Sequence, residues 1–135
     1  MDIIQQLTNT GVKVTKHKIE ILKLFYQHKH LDANLIQEIL IKQDQAIGIA
    51  TIYRTLNNLE SANIIVKHNF NSNLAVYELN QQNEQHGHMI CNNCNSITEF
   101  STTSIEQEQQ KIVQQNNFQI LNYNLIIYGI CAKCQ

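Results

Sequence analysis

Every cysteine in the chain belongs to one of two pairs, Cys91-Asn92-Asn93-Cys94 and Cys131-Ala132-Lys133-Cys134, and His86-Gly87-His88 lies just ahead of the first. Two CxxC pairs can close a tetrahedral sulfur site. Such a site suits Zn(II) and leaves no open position for catalysis, so the metal would be structural. The pairs are further apart than in the commonest zinc ribbons, so the chain ahead of Cys131 must return beside the first pair. The competing readings are reduced, buried cysteines or a redox dithiol. A redox dithiol usually places one CxxC at a helix start, not two matched pairs. His86 and His88 stand two apart on an expected strand, which points both imidazoles to one face. Glu99 on the next strand, Glu78 at the end of an earlier one and His30 ahead of a helix are further candidate ligands. Each alone reads as a surface residue. Together they are a mixed imidazole and carboxylate set, which suits Fe(II), Mn(II) or Zn(II).

A third kind of chemistry belongs to residues 49–62. Ile49, Ile52, Leu56 and Leu59 fall on one helical face, Ala50, Arg54, Asn57, Asn58 and Ser61 on the opposite one, and Tyr53 at the boundary. Arginine serves phosphates or guanine and tyrosine can meet a thymine methyl, so the Tyr-Arg pair suits DNA. The bland alternative is an ordinary amphipathic helix. Upstream, Lys13, Lys16, Lys18, Lys23 and Lys29 face only Glu20. That stretch is either a local phosphate-binding field or a solvated helix face.

These residues need elements to position them. Helical spacing of Ile19, Leu22, Phe25 and Tyr26 predicts a helix over 15–28, with Thr15 as N-cap. Asp32 caps a second, through Leu35, Ile36, Ile39 and Leu40, and Gly48 precedes the third. Residues 64–68 and 74–79 read as strands around a turn at 69–73. Three helices followed by a hairpin is the order of a winged helix-turn-helix. Residues 80–85 are polar and read as a linker. Beyond them, 86–91 and 95–100 read as strands, 103–116 as a polar helix with Thr103 and Glu106 spaced as a capping box, and 118–128 as one long strand. The expected class is α+β: a winged-helix DNA-binding domain over 1–79, a hinge over 80–85, and a small α/β dimerisation and metal-binding domain over 86–135.

The chain's 135 residues allow one or two thin domains, for which a structural metal would be a useful staple. A net charge of −1 carries no general basic field. There is neither a signal-peptide pattern nor a long apolar run, so a cytoplasmic setting with reduced thiols is expected and no membrane partner.

With these pieces in place the sequence resembles the ferric uptake regulator family. The matching pieces are Gly11-Val12-Lys13-Val14-Thr15, Ile47-Gly48-Ile49-Ala50-Thr51-Ile52-Tyr53-Arg54-Thr55-Leu56, His68-Asn69-Phe70, His86-Gly87-His88-Met89-Ile90-Cys91, Ile97-Thr98-Glu99-Phe100 and Tyr128-Gly129-Ile130-Cys131. They run in the family order over nearly the whole chain. The resemblance implies a metal-dependent transcriptional repressor, not an enzyme. It would bind AT-rich double-stranded operator DNA, control iron-uptake genes and act as a homodimer or larger homo-oligomer, a tetramer included. Position by position, the four cysteines match structural zinc ligands. His30, Glu78, His86, His88 and Glu99 match the regulatory site at the domain hinge, with Fe(II) as the implied ion and Mn(II), Co(II) or Zn(II) as substitutes. Tyr53 and Arg54 match recognition-helix residues, Thr51 belongs to the same DNA-binding piece, and Lys13 matches a lysine near the minor groove.

One departure matters. Where many members carry a further site of a His-x-Asp pair, a Glu and a His, this chain has Gln85, Gly87, Glu106 and Tyr123. Only Glu106 is a good ligand, so two metals per subunit are expected rather than three. Sensing of zinc, manganese or peroxide is the alternative within the family. Peroxide sensors tend to use Asp where Glu78 and Glu99 stand, which favours iron. A metallohydrolase built on His86, His88 and Glu99 is the alternative from another class. It would lack both a helical His-Glu-x-x-His motif and an evident nucleophile.

Overall fold

A computed structural model describes residues 2–70, 74–80, 86–120 and 123–135, without the side chain of His86. The chain divides into two compact units, 1–80 and 81–135.

The first unit runs α1 (Ile3–Asn9), α2 (Lys16–Gln27), α3 (Ala33–Lys42), α4 (Ile49–Ser61), β1 (Ile65–His68) and β2 (Val76–Leu79). Sequence pattern anticipates three of its helices. The first, α1, is an addition: the Asp2 carboxylate caps the Ile4 N–H at 3.0 Å, and Leu7 is the one residue it buries. A single buried position gives periodicity little to register. Thr15 caps the Lys18 N–H at 3.3 Å and Asp32 the Leu35 N–H at 2.8 Å, as expected. Ile21, Leu22, Ile36, Leu40, Ile52, Leu56 and Leu59 are fully buried and form one core with Leu31, Ile65 and Tyr77. Four of the chain's helices end alike. After α1, α3, α4 and the later α5 (Thr103–Gln115), residues Gly11, Asp44, Asn63 and Asn117 turn left-handed, with φ of 75°, 54°, 59° and 50°. The next N–H then reaches back to a carbonyl in the last turn: Val12 to Leu7, Gln45 to Leu40, Ile64 to Leu59 and Phe118 to Val113. This is the Schellman arrangement. It lets a chain without proline stop its helices with Asn and Asp.

β1 and β2 pair antiparallel, Val66 opposite Glu78 and His68 opposite Val76. A bridge between Leu31 and Tyr77, closed by N–H···O bonds of 3.0 and 2.8 Å, adds the chain ahead of α3 to the other side of β2. Residues 71–73 of the turn expected over 69–73, and most of the expected linker, 81–85, lie outside the described residues. Asn80 is tied into the first unit, its N–H to Ile64 O and its side-chain amide to Asn63 O, both at 2.9 Å.

The second unit has β3 (His86–Cys91), β4 (Ile97–Ser101), α5 (Thr103–Gln115) and β5 (Ile126–Gly129), in sheet order β4-β3-β5. β3 is antiparallel to β4 and parallel to β5. Two expectations need correction. Among the described residues of the strand expected over 118–128 only 126–128 are strand, and β5 runs one residue further to Gly129, because that stretch is the one paired with β3. The capping box at Thr103 and Glu106 does not form. The N-cap is Thr102, without a side-chain cap bond, and its hydroxyl donates instead to the Glu106 carboxylate at 2.9 Å.

Candidate metal centres and nucleic-acid interface

The parallel pairing of β3 with β5 brings the cysteines together. Cys91 ends β3 opposite Gly129, so the second pair emerges beside the first. The four sulfurs lie within 4.8 Å of one another. Cys94 Sγ and Cys131 Sγ are 3.7 Å apart. Four sulfurs at about 2.3 Å from a tetrahedral zinc are about 3.8 Å from each other, so this set fits the ion. Backbone N–H groups of Cys131 and Cys94 point at Cys91 Sγ, at 3.3 and 3.5 Å. These donors, Cys131 first, lower the Cys91 thiol to about 6. Ser96 lowers the Cys94 thiol. At Cys134 a hydrogen bond to the Asn93 side chain works downward, but the neighbouring sulfur of Cys131, burial and the other two sulfurs outweigh it and push the thiol up to about 12. One end of the set is ready to ionise, and the other needs a cation to do so.

The imidazole and carboxylate candidates fall into two sets. In the first unit, the Leu31–Tyr77 bridge places the preceding residue, His30, beside Glu78. His30 Nε2 is 3.2 Å from Glu78 Oε2. Glu78 is buried, an expensive place for a carboxylate without partners. In the second unit, His88 and Glu99 are directly opposite across β3 and β4, which puts both on one sheet face. His88 is buried and Glu99 half-buried. His86 stands two residues ahead of His88 on the same strand.

Sequence reading assigned no role to His68 beyond its place in a family motif. Its Nε2 lies 2.6 Å from Glu78 Oε1. The signal was diagonal strand pairing: Glu78 opposes Val66, and His68 is two residues further along the same face.

Three of the four positions expected to have lost the family's further site lie among the described residues and make other contacts. Glu106 accepts from Tyr123 Oη at 2.8 Å and from Thr102 Oγ1. Burial raises the Tyr123 hydroxyl above its ordinary pKa and Glu106 adds to this against a bond from Thr102, so it stays a donor. Gly87 is closed off by Phe100, its partner on β4: a Cβ at position 87 would stand 2.4 Å from the ring tip. Gln85 lies outside the described residues.

In α4 the buried face is Ile52, Thr55, Leu56 and Leu59. Tyr53, Arg54, Asn57 and Asn58 are exposed and Thr51 is half-buried. Lys13 and Lys16 are exposed, whereas the Lys18 amine is engaged by the Lys13 carbonyl at 2.9 Å. In the second unit α5 buries no residue, and Met89, Ile112, Phe118, Ile127 and Ile130 are all exposed. So much uncovered apolar surface in a small unit marks a protein interface.

A helix with a polar face free to enter a groove, carried on a chain that also holds ligand sets, defines the class of metal-dependent DNA-binding regulators. The comparisons agree. The sequence matches the ferric uptake regulator family over residues 9–128. It is 41% identical over 134 residues to the ferric uptake regulation protein of Neisseria gonorrhoeae, covering 98% of this chain and 92% of that one. The fold matches the crystal structure of the Vibrio cholerae ferric uptake regulator with a TM-score of 0.88 and 36% identity, over 96% of this chain and 100% of that chain. It also matches the Francisella tularensis ferric uptake regulator with iron, TM-score 0.83 and 43% identity, over 92% and 95%. This chain belongs to the ferric uptake regulator family. It is a metal-dependent transcriptional repressor of iron uptake and not an enzyme, and its ferric uptake regulator homologues bind operator DNA and form dimers. Among the described residues no helix is long and apolar enough to cross a membrane.

Proposed function

We propose that this repressor is switched on by Fe(II) held by His30, Glu78, His86, His88 and Glu99, while Zn(II) in Cys91, Cys94, Cys131 and Cys134 staples the second unit. The observation that carries the reading is the His30–Glu78 pair. Its ligand atoms are 3.2 Å apart, close to the roughly 3.0 Å between neighbouring ligands placed about 2.1 Å from one ion. One pair is too few to hold a labile cation tightly, and the His88–Glu99 pair has the complementary shortage. A divalent cation supplies a bond common to both sets. Because His30 and Glu78 belong to the DNA-binding unit and the others do not, engaging both sets fixes the placement of α4. Two α4 helices in a dimer must match the repeat of the DNA. Metal and DNA then reinforce each other by one coupling energy, of order 1–3 kcal/mol per coupled site.

Lys13, Thr51, Tyr53 and Arg54 are the DNA contacts in this reading, and the operator is AT-rich. The exposed apolar surface of α5 and β5 is the dimer contact, and a tetramer is within its reach. The setting is cytoplasmic. The ferric uptake names and identities of the relatives favour iron over zinc, manganese or peroxide, and among the described residues nothing at the ligand sets supplies a nucleophile for a hydrolase.

The test is fluorescence anisotropy on an AT-rich inverted-repeat duplex. Zinc-loaded protein with an empty regulatory site is titrated with anaerobic Fe(II), and a scrambled duplex is the control. A sharp gain in specific affinity is expected. Tight binding without Fe(II), or no gain with it, overturns the iron-activated reading.

A further inference from the structure

The Glu78 carboxylate has two oxygens, and each meets a different imidazole. Oε2 faces His30 Nε2 at 3.2 Å, whereas Oε1 lies 2.6 Å from His68 Nε2. Glu78 acting as a metal ligand is ionised and only accepts, so in that state His68 donates its Nε2–H to Oε1 in a short, charge-assisted bond. The His68 ring is itself held, stacked on Phe70 with centroids 5.1 Å apart and planes 9° from parallel. Phe70 is buried, and the side chains of His68 and Glu78 are largely so. All of these groups belong to the wing and its neighbouring segment in the first unit, so the arrangement is built before anything from the second unit is added.

We propose that His68 is the positioning residue of the regulatory metal site. It holds Oε1 of Glu78 so that Oε2 alone is presented beside His30, making Glu78 a one-oxygen ligand of fixed direction. The inference rests on the reading of His30 and Glu78 as ligands. Two physical consequences follow. Without the His68 donor Oε1 loses the short bond that holds it, and ordering it on binding would weaken the metal. That oxygen would also be able to turn toward the ion and add to the coordination shell. Groups that orient metal-ligating carboxylates typically contribute 10–100-fold in affinity.

The experiment uses the whole 135-residue chain as a zinc-loaded dimer, with Co(II) as the probe ion. His68→Leu keeps an apolar side chain against Phe70 but lacks the donor. His68→Gln restores an N–H at similar reach. Glu78→Ala tests the underlying ligand assignment. We expect His68→Leu to bind regulatory Co(II) 10–100-fold more weakly and with an altered ligand-field spectrum. Operator affinity at saturating Co(II) should remain at the parent value, and His68→Gln should recover most of the lost metal affinity. Metal affinity within twofold of the parent in His68→Leu, beside a large loss in Glu78→Ala, overturns the role of His68 and leaves the ligand set standing. An equal loss in Leu and Gln variants, or operator binding lost even at saturating Co(II), also overturns it, since His68 would then be a ligand or a support of the wing. Unchanged Co(II) affinity in Glu78→Ala instead overturns the ligand assignment itself. If His68→Leu does not fold, His68→Gln decides: more than a tenfold loss counts against the proposal.

Discussion

Four sulfurs crowded within reach of one ion cannot all be thiolates without it, and here the crowding is uneven. Cys91 is held at about 6 and Cys134 is pushed up to about 12. At pH 7 the metal-free Cys91 is mostly ionised, so zinc binding takes few protons from it and a full one from Cys134. At pH 5, below the Cys91 value, Cys91 is protonated and must also release a proton. Proton release per zinc therefore rises as pH falls from 7 to 5, and affinity falls with it. Calorimetry in two buffers of different ionisation heat reads this directly. At Glu106, Tyr123→Phe removes one of two donors to the carboxylate and should cost about 1–2 kcal/mol in thermal or urea unfolding. The cysteines were legible because a CxxC is a local pattern that any fold must accommodate. The pairing of His30 with Glu78 was not, since it depends on a single bridge between Leu31 and Tyr77, residues whose types say nothing about each other. His68 was legible only as a letter in a motif, because its partner is set by strand register.

Elements here stop by asparagine as much as by glycine. Asn63 and Asn117 sit left-handed behind α4 and α5, a conformation that costs a β-branched residue roughly 1–2 kcal/mol. Asn117→Val should lower stability by about that much, and Asn117→Gly should be neutral or slightly stabilising; chemical denaturation distinguishes them. Gly87→Ala drives a Cβ into the Phe100 ring and should cost about 1–3 kcal/mol. Phe100→Leu in the same chain should recover part of this, which a double-mutant cycle would show as coupling between the two sites. The helix starts at Thr15 and Asp32 and the wing strands were readable because caps and alternation are short-range. The long strand expected over 118–128 failed for the opposite reason. Apolar β-formers become strand only where a partner runs beside them, and β3 offers one to 126–129 alone.

At the scale of the whole molecule, a net charge of −1 leaves DNA affinity to a few placed cations. Arg54→Ala and Lys13→Ala should each weaken operator binding and reduce the slope of log affinity against log salt by about one. Lys18→Ala should do less, because that amine already serves the Lys13 carbonyl. His88→Ala should abolish metal-dependent operator binding while zinc content and dimer remain, and repression as in the parent at high iron would sink the two-set reading. Native mass spectrometry should find two tightly held metals per chain and not three, given how Tyr123 and Phe100 occupy the remaining positions. The winged-helix order was visible in the sequence because its contacts follow chain order, whereas the second unit is held by a parallel pairing that local pattern cannot express. That pairing also has a cost in time. Cys94 and Cys131 are 37 residues apart, and the loop between them must close before β5 gains any bond to β3, which should make this closure the slow one within the second unit. Zinc caught early by one cysteine pair and then by the other would shorten the search, so the refolding rate of the second unit, followed by pulsed hydrogen exchange at the β3 and β5 amides, should rise with free zinc while that of the first unit, followed at α2 and α4, does not.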